Sequence, residues 1–117
     1  MEYALLIYGN ETEAAKIPPA ESQAMFQGYM EFTKWLEGSG KMRGGRPLEK
    51  VSSATTVRVR NGKTTTTDGP FAETKEHLGG FYLVEAKDLD EAIAIAAKIP
   101  GAKYGCIEVR PIQNLNM

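Results

Sequence analysis

The first strand-like segment of the chain has no polar face. EYALLIYG, residues 2–9, is apolar at both sets of alternating positions. LGGFYLVEA, residues 78–86, repeats this pattern with Phe81 and Leu83 on one side and Tyr82 and Val84 on the other. A strand that is apolar on both faces is usually buried on both, so each of these strands needs two covering surfaces.

Two segments have helical periodicity. Between about Ala20 and Glu37, Met25, Tyr29, Phe32 and Leu36 recur every three or four residues, and Phe26 and Met30 widen the stripe. DLDEAIAIAAKIPG, residues 88–101, predicts a second helix, with Asp88 and Glu91 at capping-box spacing and a Pro-Gly stop. The glycine-rich stretch between residues 38 and 47 predicts a mobile link after the first helix.

A β-hairpin is predicted around Asn61-Gly62, the pair that favours a two-residue type I′ turn. That turn fixes the register, with Arg60 opposite Lys63 and, further along, Thr55 opposite Asp68. Alternation then places Asp68 on the less charged hairpin face. A last strand is expected near residues 104–112.

The predicted order is strand, helix, hairpin, strand, helix, strand. An antiparallel sheet with both helices on one face satisfies the short connections and gives a single α+β domain over residues 1–117. The helices then cover only one face of strands that are apolar on both. A second copy of the chain is the simplest cover, so we expect a homodimer formed through the sheet.

Composition narrows the function classes. A formal net charge of -1 gives no basic footprint for nucleic acid, and no apolar run reaches the roughly 20 residues of a membrane span. Cys106 is the only cysteine and His77 the only histidine, so an intrachain disulfide and a multi-histidine metal site are excluded. We expect no metal or cofactor. The N-terminus has no basic segment typical of a secretory signal, and we expect a cytoplasmic location.

The most distinctive stretch is DGPFAETKE, residues 68–76, followed by LGGFYLVEA. Together with YALLIYG, ATTVRVRNGK, AKDLDEAIAIAAKIP and IEVRPI, it closely resembles the DGPF family of bacterial proteins within the YCII-related group. The resemblance covers nearly the whole chain. It implies a ferredoxin-like α+β fold of the dimeric α+β barrel kind, without an established reaction.

Some YCII-related proteins carry a His–Asp pair proposed as catalytic, with the histidine on the first helix. The first predicted helix here contains no histidine. The pair is therefore not carried over to this sequence, and only a role for Asp68 remains to be argued.

Asp68 is the leading candidate site residue. As a strand-end carboxylate it serves either as a turn cap or as an acid, base or anchor facing a cavity. Because its face of the hairpin is predicted to be the less charged one, we expect Asp68 to be at least half buried and hydrogen-bonded to the following loop.

Other candidates surround Asp68. Glu73 and His77 are candidate catalytic partners. A solvated turn explains Glu73 equally well, and a solvated strand-entry histidine is the favoured interpretation of His77. Gly79 and Gly80 suggest a bulge or the close approach of a backbone or ligand, and Pro70 and Phe71 an apolar lid. The candidate ligand-binding residues are Asp68, Pro70, Phe71, Glu76, Gly79, Gly80, Phe81 and Arg58.

Three functions remain open. The first is small-molecule binding in a pocket between the sheet and the DGPF loop. The second is a cofactor-independent enzyme of isomerase, lyase or monooxygenase-like chemistry with Asp68 as acid or base. The third is a non-catalytic structural or regulatory protein. A cavity with converging polar groups favours the first two, and a flat, filled interface favours the third.

Overall fold

A four-stranded antiparallel sheet and a separate two-stranded hairpin make up the β-structure of the chain. The computed structural model describes residues 1–115. The strands are β1 (Glu2–Gly9), β2 (Met42–Pro47), β3 (Thr55–Arg60), β4 (Lys63–Asp68), β5 (His77–Glu85) and β6 (Cys106–Pro111). The helices are α1 (Glu11–Ala14), α2 (Pro19–Gly38) and α3 (Leu89–Ala97), with short 3-10 turns at Val51–Ser53 and Pro100–Lys103.

The main sheet has the order β2-β5-β1-β6 and all its pairs are antiparallel. With the hairpin set aside, this is the strand order of a ferredoxin-like α+β fold, as expected. Residues from α2 and α3 pack on one face of the sheet to form the core. The buried apolar residues are Tyr3, Leu5, Phe32, Leu36, Tyr82, Val84, Ala86, Ala92, Ile95, Ala96 and Ile99.

Local sequence explains where the two long helices begin and end. Proline occupies the first position of α2, where no backbone N–H is needed, and the Ser39 N–H bonds back to the last turn. At α3, the Asp88 carboxylate accepts the N–H of Glu91 at 2.9 Å, as the D-x-x-E spacing predicts.

One stretch expected as a mobile link is a strand of the main sheet. β2 pairs with β5, although its sequence MRGGRP lacks strand-forming residues. Gly45 explains why glycine is needed there: its φ is +153°, and an added Cβ would lie 2.8 Å from the Phe81 carbonyl oxygen. Its glycines therefore allow β2 to pair closely with the backbone of β5, although its side chains have little preference for a strand.

The hairpin has the predicted register but a different place in the fold. β3 and β4 pair from Thr55–Asp68 to Arg60–Lys63, and Asn61 and Gly62 have φ of +53° and +75° as a type I′ turn requires. The expectation that the hairpin belongs to the main sheet is wrong, because β2 occupies that position. The hairpin forms a sheet of its own.

The apolar stripe of α2 is narrower than predicted. Phe32 and Leu36 are buried and Met25 and Tyr29 partly so, but Phe26 and Met30 are 65% and 57% exposed. The core lies on one side of the helix only, and the flank that carries Phe26 and Met30 faces away from it.

Among residues 1–115, the core residues of α2 and α3 cover one face of the sheet, and the second face is left partly exposed. We call it the open face, and it is defined by five partly exposed apolar residues of β1 and β5: Ala4, Leu6, Tyr8, Phe81 and Leu83. Register places Arg46 of β2 and Glu108 and Arg110 of β6 beside them. The open face thus has an apolar centre between charged outer strands.

Candidate functional site

A shallow, widely open cleft lies on the open face, where the loop between β4 and β5 meets the sheet. Its volume is about 690 Å³. Six residues line it: Tyr8, Thr74, Lys75, Glu76, Cys106 and Glu108. We call this feature the cleft, and the preceding connection, residues 69–76, the DGPF loop.

The sheet side of the cleft follows from strand register. Tyr8 lies opposite Cys106 in the pair formed by β1 and β6, and alternation places Glu108 on the same face. Gly105 allows the two strands to begin this pairing, because a Cβ there would collide with the Tyr8 carbonyl oxygen. A larger residue at position 105 would therefore disturb the floor of the cleft.

The loop side is held by local hydrogen bonds. The Thr74 hydroxyl donates to the Glu76 carbonyl at 2.5 Å, which closes the end of the loop just before β5. This turn places the Glu76 carboxylate at the sheet, where Oε1 lies 3.9 Å from the Cys106 thiol sulfur.

The charges in the cleft are not equivalent. The Glu108 carboxylate is paired with the guanidinium of Arg110. Among residues 1–115, no carboxylate lies within 4 Å of the Lys75 ammonium, and no basic group lies within 4 Å of the Glu76 carboxylate. The cleft thus presents an ammonium, a carboxylate, a phenol and a hydroxyl that are available to a polar molecule.

Asp68 lies outside the cleft lining and is exposed. Within residues 1–115 its carboxylate makes none of the expected hydrogen bonds to the following loop, because the hairpin stands apart from the main sheet and both of its faces are exposed. The N–H of Gly69 bonds to the Ala54 carbonyl at 2.7 Å, and the Thr56 hydroxyl bonds to the Gly69 carbonyl at 2.8 Å. Backbone groups and a threonine therefore hold the turn that Asp68 was expected to cap.

Most of the other predicted site residues are also outside the cleft lining. Glu73 and Pro70 are exposed, and Phe71, the expected lid, is 79% exposed. Arg58 is exposed in the middle of β3. Of the predicted ligand-binding residues, only Glu76 lines the cleft.

Gly79 and Gly80 have structural reasons to be glycine. The register of β1 and β5 shifts between Ile7 and Tyr8, which leaves Gly79 as a bulge. A Cβ on Gly80 would lie 3.1 Å from the Arg46 carbonyl oxygen. Both alternatives that the sequence offered for this pair, a bulge and close backbone approach, are present. Phe81 pairs with Leu6 and belongs to the open face.

His77 begins β5 opposite Gly9 and is only partly exposed. Its Nδ1 is buried and has no hydrogen-bond partner within the described part of the chain. The expectation that His77 is a solvated histidine at the start of the strand is therefore wrong for its Nδ1 atom. Register sets His77 on the opposite side from Tyr8, so it does not join the cleft.

Lys75, Cys106 and Glu108 line the cleft but were not predicted as site residues from the sequence. Cys106 and Glu108 alternate with the apolar Ile107 and Val109, which indicates a strand with one polar face. That alternation, combined with the first strand being apolar on both faces, was the sequence pattern from which the sheet side of the cleft could have been predicted. The loop residues Thr74 and Lys75 carried no comparable signal, since their place depends on the loop conformation.

A second concavity lies on the helical side, between α2 and the segment around Pro100. Its volume is about 490 Å³, and Trp35, Met25 and Tyr104 are among its lining residues. The Lys98 ammonium lies 5.1 Å from the Trp35 ring centroid, and the Tyr104 hydroxyl donates to Glu21 at 2.9 Å. That hydrogen bond raises the pKa of Tyr104.

Tyr29 anchors the helical side of the molecule. Its hydroxyl accepts the N–H of Gly101 at 3.1 Å. Burial raises the pKa of Tyr29 above its ordinary value, so the phenol stays neutral and serves the packing of α2 on the Pro100 turn.

Within residues 1–115, no three His, Cys, Asp or Glu side chains are grouped as a metal site would require. In the same part of the chain, no helix combines the length and apolar character needed to cross a bilayer.

Comparison with known proteins agrees with the fold. The model of the YCII-related domain matches residues 1–116. An uncharacterized protein of Rhizobium meliloti (strain 1021) is 35% identical over 114 residues, which cover 96% of this chain and 92% of that protein. The chain therefore belongs to the YCII-related family.

Proposed function

We propose that the protein binds a small polar molecule in the cleft, and that it does so as a homodimer joined through the open faces of two sheets. The observation that carries the proposal is the set of polar groups in the cleft, a shallow and widely open depression of about 690 Å³ between the sheet and the end of the DGPF loop. Small-molecule sites hold a few converging polar groups, and Lys75, Glu76 and Tyr8 line this depression together.

The lining residues define the chemistry of the ligand. Lys75 and Glu76 lie side by side without ion-pair partners of opposite sign among the described residues. An anionic or carbonyl group of the ligand would meet the Lys75 ammonium, while a hydroxyl or amine would donate to Glu76. Tyr8 supplies both a ring surface and a hydroxyl.

The open face supports the homodimer. Its apolar centre, Leu6, Phe81 and Leu83 included, is left partly exposed in the single chain. Charged residues on the outer strands surround that centre, which is the arrangement of a protein interface with an apolar core and a polar rim. Since the cleft opens on this same face, a second copy would also limit its access to solvent.

Asp68 has no role in this proposal, because its carboxylate is exposed and does not line the cleft. A catalytic role for it stays a prediction. The exposed free thiol of Cys106 supports the cytoplasmic setting that we propose, since such thiols persist in reducing compartments.

The test is a binding screen on isotope-labelled protein. A library of small polar metabolites is added to ¹⁵N-labelled protein, and the backbone amide shifts are followed. We expect hits that move the amides of Tyr8, Thr74 and Cys106. Glu76→Gln should then raise the dissociation constant about tenfold, the loss of one charge-assisted contact.

Glu37→Gln is the matched control, since Glu37 is an exposed carboxylate on α2 outside both concavities. It should bind with unchanged affinity. Two results would contradict the proposal: a library without any hit in the cleft, or hits that move only residues around Trp35 and Tyr104.

A further inference from the structure

The hairpin β3–β4, residues 55–68, projects from the body of the molecule as an arm. Its strands pair only with each other, and every residue in them except Thr56 is exposed. The radius of gyration is 16.3 Å, against about 13 Å for a compact chain of this length. The single chain is therefore more extended than a self-contained globule.

The arm has one apolar face and one basic face. Val57 and Val59 are 59% and 58% exposed, and register places Thr64 and Thr66 beside them, with the exposed Asp68 at the base of the same face. Arg58, Arg60 and Lys63 occupy the opposite face. An isolated two-stranded hairpin is at best marginally stable in water, so a regular arm with two exposed valines on one face lacks a covering surface.

The direction of the arm follows from the shape of the molecule. The principal extents are 47, 46 and 19 Å. The smallest extent matches a sheet with one layer of helices, so the arm widens the molecule sideways and does not thicken it. From β4 the chain runs through the DGPF loop to the start of β5, at the end of the sheet where β1 ends and β6 begins, which is also the end that holds the cleft.

The area of the open face indicates what the arm contacts. Four strands at a spacing of about 4.8 Å, each about seven residues long, have a flat footprint of about 450 Å². A stable interface of standard size buries about 800 Å² on each partner. The open face alone falls short of that area, and the arm adds the exposed apolar surface of Val57 and Val59.

We infer that the apolar face of each arm packs against a second copy of the chain, so that two arms clasp the dimer. This inference rests on the proposed homodimer. A second copy stacked on the open face lies under the sideways reach of the arm. The basic face then points to solvent, which keeps Arg58 and Arg60 of the two copies out of the interface.

The first test is photo-cross-linking from the two faces of the arm. A benzophenone amino acid replaces Val59 in one sample and Arg58, its neighbour on the opposite face, in the control. Mixed ¹⁴N and ¹⁵N chains identify links between copies by mass spectrometry. We expect intermolecular links from position 59 at least fivefold more often than from position 58.

The second test measures dimer affinity by sedimentation equilibrium. Val59→Asp should raise the dissociation constant of the dimer at least tenfold, and Arg58→Asp should leave it within about twofold. A dimeric protein whose Val59→Asp variant dissociates like the wild type, or that links equally from both positions, overturns the clasp and leaves the homodimer standing. A monomeric wild type overturns the homodimer and, with it, the clasp.

Discussion

At the scale of single residues, glycines decide where backbones can meet. Gly45 and Gly80 let β2 approach β5, and Gly105 lets β6 approach the end of β1. No polar or charged residue is fully buried among residues 1–115, so packing and close backbone contact stabilise the sheet. Among the buried side-chain nitrogen and oxygen atoms of the described range, His77 Nδ1 has no hydrogen-bond partner.

Gly105→Ala tests the close contact beneath the cleft. The new Cβ would meet the Tyr8 carbonyl oxygen, so β6 must shift, and we expect the free energy of unfolding to fall by about 1–3 kcal/mol. Urea denaturation measures the change. Gly38→Ala is the control, because its Cβ has open space at the end of α2 and should cost nothing. Equal stability of the two variants would contradict the contact.

At the level of helices and strands, the features predicted correctly from the sequence are those set by residues close together in the chain. The turn at Asn61-Gly62, the register that it sets and the cap at Asp88 are all confirmed. β2 was missed because its glycines are selected by the backbone of β5, which lies far away in the sequence. The cleft was only partly predictable for the same reason, since Glu76 and Cys106 are brought together by the fold.

The start of α3 carries a pH-dependent contact. The Glu91 carboxylate accepts hydrogen bonds from the Lys41 ammonium at 2.9 Å and from the Lys87 N–H at 3.0 Å. Chiefly through the Lys41 hydrogen bond, the pKa of Glu91 lies below its ordinary 4.5. A lowered folded-state pKa stabilises the protein above pH 4.5, and this stabilisation is lost as the pH falls through the folded-state value.

We therefore expect Glu91→Gln to be less stable than the wild type at neutral pH. The difference should shrink steadily below pH 4.5. Urea midpoints between pH 7 and pH 3 measure it, with Glu37→Gln as the exposed control. A Glu91→Gln deficit that stays constant across this range would show that the ionised carboxylate is not the source of the stabilisation.

At the scale of the whole molecule, the single chain has a core on one side only. The helices bury one face of the sheet, while the open face and the arm present apolar residues to solvent. The sequence EYALLIYG, which is apolar on both faces of the strand, already indicated that one sheet face would lack a cover within the single chain. What the sequence could not indicate is that the hairpin stands apart from the sheet, because its register is satisfied equally in either place.

Sedimentation equilibrium at micromolar concentration measures whether the open face joins a second copy of the chain. We expect twice the chain mass of 12.8 kDa for the wild type. We expect a shift to monomer for Leu6→Asp on the open face, but none for Ile93→Asp, an exposed apolar position on α3. A wild type at 12.8 kDa, or a Leu6→Asp variant that stays dimeric, would contradict a dimer joined through the open face.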